Sequence, residues 1–403
     1  MDNKLFSGRK KAILDVLLNI TATVLPLAML QLLVYPQIAR VLGGQEYGLM
    51  LSIYSIWIML PHSLGNVLNN IKLLKVTEYQ RLGTEGDIAI LVRKWLALGA
   101  TVSFAIIWIY CGKFTPTHIL IGTVIAVLIF LKSYLEVGFR IKLDFVAVLI
   151  NNALMSVGYI LGFVLFSFTH IWEFVFLLGY LFPCIYCTLK TNLLKELPQK
   201  TILYQTVQKD AYSLVFSSII RNLTHYADKL VLYPLMGGTA VSIYYTATIL
   251  GKITGMLTGP INSVFLSYIA RWDKSRANVF SKVLLIGLVI CSAGYVVVLL
   301  IAKPVLGFLF PQWLDAVMKL MPLTTVTVML GVLVSVLNPF VLKFCKLQWL
   351  VIINIISSVV YFGSALVLWH YLGLEGFCIG TIIGLIVRLS IMICVYFRSV
   401  GKA

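Results

Sequence analysis

The chain has 403 residues, of which 60% are hydrophobic and 12% charged, with a mean hydropathy of +0.96. Soluble domains are roughly 45–50% apolar and about 25% charged, so a soluble enzyme, a disordered chain and a small disulfide scaffold are excluded. The apolar residues come in runs of about 20, long enough to cross a bilayer as helices, and not in the two-residue alternation of an outer-membrane barrel.

Lys4, Arg9, Lys10 and Lys11 lead into an apolar stretch from Ala12 to about Ile38. It is longer than a signal-peptide core and reads as an uncleaved first helix. The pattern predicts further helices over 47–71, 95–112, 117–139, 144–168, 171–189, 212–235, 240–268, 282–302, 316–342, 348–369 and 375–397. The fifth and sixth are separated by little more than Thr169 and His170, as a tight turn or one bent element. Cys184 and Cys187 form a C-x-x-C inside a predicted span, where helix or lipid packing fits better than zinc or thiol redox chemistry. No metal site is expected.

The formal charge of +17 has a membrane explanation and calls for no nucleic acid. Counted over alternate connections, one side collects twenty-three Lys and Arg, including Lys72, Lys75, Arg81, Arg93, Lys94 and Lys190. The other side has only Arg40, Lys113 and Lys303. By the positive-inside rule both termini are cytoplasmic, which requires an even number of spans. The expected fold is therefore an all-α polytopic membrane protein with twelve transmembrane helices in two six-helix halves. These are 1–189 and 212–403, joined by a charged cytoplasmic linker, 190–211, that contains Pro198. The outer loops are too short to hold a catalytic domain.

An internal repeat supports the two halves. Placing Gly43 and Gly44 on Gly237 and Gly238 also brings Gly65 onto Gly259 at one constant offset. Both glycine pairs fall in the outward turn before an even-numbered helix, so the repeat is parallel and the halves are related by pseudo-two-fold symmetry.

The stretch L-V-Y-P-Q-I-A-R-V-L-G-G-Q-E-Y-G from Leu33 and the stretch Y-A-D-K-L-V-L-Y-P-L-M-G-G from Tyr226 resemble the helix 1–2 and helix 7–8 junctions of Wzx-type polysaccharide repeat-unit flippases. These are O-antigen and capsule transporters of the MOP superfamily. The resemblance implies a MATE-like fold with no enzymatic activity and no cofactor beyond a coupling proton or sodium ion. It implies movement of an undecaprenyl-diphosphate-linked oligosaccharide from the cytoplasmic to the outer leaflet. It also implies a multi-pass location in a bacterial cytoplasmic membrane. The implied partners are the lipid bilayer, the lipid-linked substrate, and the polymerase and glycosyltransferases of the same pathway. The chain is short for the fourteen-helix lipid II branch.

Polar residues inside the spans mark the candidate site, because a charge at the bilayer centre costs on the order of 2.5–3.5 kcal/mol. Helix 7 places Ser217, Arg221, His225 and Asp228 on one face, beside a stripe of Asn222, Tyr226, Lys229 and Tyr233. It should line an aqueous cavity between the halves. Arg221, Lys229, Lys252 and Arg388 are the candidate cations for a diphosphate. Three of them also admit a plainer reading: Arg221 paired with Asp228, Lys229 snorkelling outward, Arg388 reaching the inner interface. Asn222, His225 and Asn262 are candidate polar lining. Asp228 and Glu136 are candidate coupling acids, with Lys132, Glu136 and Arg140 alternatively forming an ion-pair ladder. Gly259 and Pro260 are the candidate hinge.

Two rivals stand beside the flippase. A MATE-like cation-coupled multidrug exporter should carry more intramembrane acids than cations. A membrane-embedded polysaccharide polymerase or glycosyltransferase should show a nucleophile–base or metal-ligand cluster.

Overall fold

In hydrocarbon every backbone N–H and C=O must be satisfied within the chain, and a helix does so locally. The computed structural model describes residues 14, 17–111, 116–269, 279–345 and 347–400, without the side chains of 110, 111, 220, 221, 223–225, 227, 254–269, 347, 348 and 400. Those described residues are helical almost throughout and contain no strand. Eight helical stretches are long and apolar enough to cross a membrane, and the molecule is a multi-pass membrane protein.

Three long helical runs are interrupted by glycines with non-helical backbone: Gly43, Gly237 and Gly373. Divided there, twelve long helices result among the described residues. They are α1 (17–42), α2 (44–82), α3 (Asp87–Cys111), α4 (Pro116–Leu135), α5 (Phe145–Thr169), α6 (Glu173–Lys190), α7 (204–236), α8 (238–269), α9 (Val279–Leu309), α10 (Leu314–Phe344), α11 (347–372) and α12 (374–400). Gly43 adopts φ 72° and ψ 178°, and Gly237 adopts φ 76° and ψ 178°. These are the two positions that the repeat superposes, and their shared left-handed backbone suits glycine in both.

Some ends differ from the hydropathy reading. α2 continues to Leu82 and stops at Gly83, whose positive φ caps it. The basic segment 72–94 is thus helix except at 83–86. α7 likewise begins at Tyr204. Hydropathy detects only the apolar crossing, whereas a helix runs on into water until a capping residue ends it. α5 and α6 are distinct, because His170 at φ 58° ends α5 in a tight turn. Asp144 caps the start of α5 by accepting from the Ala147 N–H at 2.9 Å. Pro61 lies in a widened turn, Ile58–His62, and a second widened turn, Met29–Val34, follows Pro26. Such turns relieve the contact between a proline ring and the preceding carbonyls.

The chain forms two compact units, Met1–Gly238 and Thr239–Ala403. The core of the first includes Leu68, Ile71, Leu91, Trp95, Phe130 and Tyr134. In the second, Phe280 stacks on Tyr396 with ring centroids 4.0 Å apart. Cys184 and Cys187 serve packing: their thiols reach the Leu128 carbonyl at 3.2 Å and Asn151 Oδ1 at 3.4 Å.

Candidate functional site

The polar stripe of α7 is partly described. Asn222 donates from Nδ2 to Ser63 Oγ on α2 at 2.5 Å. Asp228 and Lys229 are both buried. The Lys229 N–H donates to Asp228 Oδ1 at 2.9 Å, and Lys229 Nζ lies 5.1 Å from the centre of the Tyr226 ring. A cation over an aromatic face keeps its charge at a smaller desolvation cost than one in hydrocarbon. The side chains of Arg221, His225 and Asn262 lie outside the described residues, as do the surroundings of Gly259 and Pro260.

Lys252 and Arg388 belong to the second unit. Lys252 sits on α8 with Nζ 4.9 Å from the Tyr245 ring centre. Arg388, on α12, is half-buried, and its Nε has no hydrogen-bond partner among the described residues. Leaving a guanidinium donor unmet in a membrane helix is costly.

The first unit also carries a polar network across α2, α4 and α5. The Ser133 hydroxyl donates to the Ile129 carbonyl at 2.7 Å, so His62 Nδ1, at 2.7 Å from Ser133 Oγ, is the donor of that pair. Asn69 donates to the Ser133 carbonyl at 2.9 Å. Arg140 donates to Asn69 Oδ1 at 2.7 Å. Lys132 donates to Glu136 at 2.8 Å and to Asn152 Oδ1 at 3.2 Å. The ladder is therefore a Lys132–Glu136 ion pair, with Arg140 turned to the amides of α2. Asn69 and Asn152 join helices, as intramembrane amides commonly do.

At the other end of this unit, Lys72 is 5% exposed and pairs with Glu85 at 3.1 Å and with Glu196. Asp87 accepts from Tyr79 OH at 3.1 Å, from the Thr201 N–H at 2.7 Å and from the Thr201 hydroxyl at 2.5 Å. These contacts bind the 191–203 segment to the 83–87 turn. Burial pushes the Glu196 carboxyl above its ordinary range, and the Lys72 pairing offsets part of that. The sequence reading missed this cluster, since Lys72 counts there only as a loop charge.

No protein-family model matches the sequence, and a search of curated proteins finds no match. Solved structures do match. One is an inward-facing multidrug resistance MATE family transporter of the MOP superfamily: TM-score 0.67, 16% identity, 96% of this chain and 99% of that one. Another is the lipid II flippase MurJ in an inward closed conformation: TM-score 0.71, 15% identity, 96% of this chain and 90% of that one. A third is an outward-facing MATE transporter, at TM-score 0.60 and 17% identity, over 98% of this chain and 97% of that one. The chain has the fold of these MOP-superfamily proteins. The MATE-like architecture expected from the two glycine junctions is thereby shown.

Proposed function

We propose that the chain is a flippase that carries an undecaprenyl-diphosphate-linked oligosaccharide from the cytoplasmic to the outer leaflet by alternating access. It would serve capsule, O-antigen or exopolysaccharide synthesis in a bacterial cytoplasmic membrane, beside the polymerase and glycosyltransferases of that pathway. One observation carries the reading: membrane helices α7, α8 and α12 hold four cations, Arg221, Lys229, Lys252 and Arg388, against two acids, Asp228 and Glu375 (the latter at the very start of its span), on the same helices within the spans. Such an excess of cations suits a diphosphate. The likeness in fold to a lipid II flippase supports a lipid-linked cargo. Outward movement of the anionic headgroup is favoured by an inside-negative potential, at about 2.3 kcal/mol per charge per 100 mV. A proton or sodium ion would assist the return step, with Asp228 and Glu136 as candidate acids. No catalytic step is assigned.

The second reading, a MATE-like multidrug exporter, is favoured by the likeness to MATE transporters and by the burial of Asp228.

The test is headgroup translocation in liposomes containing undecaprenyl-diphosphate oligosaccharide. Wild-type protein moves the headgroup, and Arg221→Ala slows it about tenfold or more, the worth of a charge-assisted contact of ~1.4 kcal/mol. Movement of an organic cation with none of the headgroup selects the exporter.

A further inference from the structure

The outer end of the first unit, on the charge-derived topology, holds a second polar centre that the candidate site does not use. His118 stands in the first turn of α4 and Glu173 in the first turn of α6. His118 Nδ1–H donates to Glu173 Oε1 at 2.6 Å. Glu173 is 2% exposed and Trp57 is fully buried. Glu173 Oε2 and Trp57 Nε1 are both buried with no hydrogen-bond partner among the described residues. These residues line one small cavity with Ile53, Ile107, Gly122 and Trp172, with room for about one water molecule.

We propose that His118, Glu173 and Trp57 form a binding site for one water molecule and one exchangeable proton. The two unmet groups are complementary to water, which donates to Glu173 Oε2 and accepts from Trp57 Nε1–H. They do not suit a metal ion, since an indole N–H repels a cation, and no group of three or more His, Cys, Asp or Glu that could hold a metal occurs among the described residues. In the loaded state the His118 imidazolium donates through Nδ1–H to the Glu173 carboxylate and carries a second proton on Nε2. Release passes the Nε2 proton to water and leaves a neutral imidazole beside the carboxylate. The site changes from net neutral to one negative charge, and no other bond changes. Glu46, from α2, is a further charged group acting on His118 among the described residues. The α2 and α3 walls of the cavity are otherwise Ile53, Trp57 and Ile107, and Trp172 precedes α6. Lys113 lies outside the described residues. The site is defined by its own geometry and does not depend on which cargo the protein carries.

The test uses full-length protein in nanodiscs with 15N-labelled histidine and tryptophan, His118 and Trp57 being assigned from the spectra of His118→Gln and Trp57→Phe. We expect one His118 titration in the spectra across a pH series. Glu173→Gln removes the paired charge and should move the midpoint down by about one pH unit or more. A magnetisation-transfer signal from water to Trp57 Nε1–H should be present in the wild type. Gly122→Ala supplies the independent arm: a methyl there lies 3.2 Å from Ile107 Cδ1 and 3.4 Å from Trp57 Cζ2. It would fill the cavity, abolish the water signal and leave His118 titrating. A His118 that does not titrate, a midpoint unmoved in Glu173→Gln, or no water signal in the wild type each overturns the proposal. The wild-type and Gly122→Ala measurements decide it even if Glu173→Gln does not fold.

Discussion

Asp87 and Glu173 are both buried carboxylates of the first unit, and their surroundings treat them in opposite ways. Asp87 is fully enclosed, and both of its oxygens accept hydrogen bonds, three in all, two of them from Thr201. Glu173 has one oxygen bound to His118 and the other with no donor among the described residues. A carboxylate with both oxygens engaged fastens chain to chain. A carboxylate with one oxygen unmet retains the capacity to bind, because desolvation of that oxygen is uncompensated until something supplies a proton or a donor. The contrast separates a fastener at one end of the unit from a binding centre at the other.

The largest break of that comparison is Asp87→Ala. It strands the Tyr79 hydroxyl and both Thr201 donors, and hydrogen bonds to a charged group contribute about 1.5–3 kcal/mol each. A loss on the order of 3 kcal/mol is expected in unfolding of the purified protein, together with faster proteolysis within 191–203. An unchanged unfolding curve would mean that the segment is not fastened there. Glu173→Gln is the counterpart. Because Oε2 has no donor to lose among the described residues, its cost in the same measurement is expected below about 1 kcal/mol, even though it abolishes the negative charge.

The smallest effect concerns pH. Burial raises the Glu196 carboxyl, so the folded state binds that proton more tightly than the unfolded chain. The corresponding stability is present at low pH and is lost as pH rises through the raised value. Unfolding of wild type and Glu196→Gln, compared from about pH 4 to 7, should therefore shift in favour of wild type on acidification. A difference that is flat with pH would show that the Lys72 pairing cancels burial, and one of opposite sign that it outweighs burial.

Much of the architecture was legible beforehand because it rests on local composition. The two glycine junctions at Gly43 and Gly237 were found by a constant offset, and their backbone angles agree within a few degrees. The tight turn at Thr169–His170 was foreseen as one of two options. The candidate site was legible only in part. Lys132–Glu136 is an i,i+4 pair and could be read from spacing, but Arg140 bonding to Asn69 could not, since those residues are 71 apart. No spacing or motif singles out His118 or Glu173, since an acid near a helix start is commonplace beside the helix dipole. Lys72 was counted among loop charges although it lies buried on α2.

The sequence by itself determined the solvent this protein lives in, the helical class, and the spacing of its crossings. Hydrocarbon leaves a backbone only local ways to satisfy its hydrogen bonds, so runs of apolar residues and their glycine interruptions suffice. Tertiary structure alone decided which polar groups far apart in the chain meet. Thr201 reaches Asp87 across 114 positions, and His118 reaches Glu173 across 55. Whether two such groups bond or one stays unmet depends on helix packing to within tenths of an ångström, and no local pattern encodes that distance.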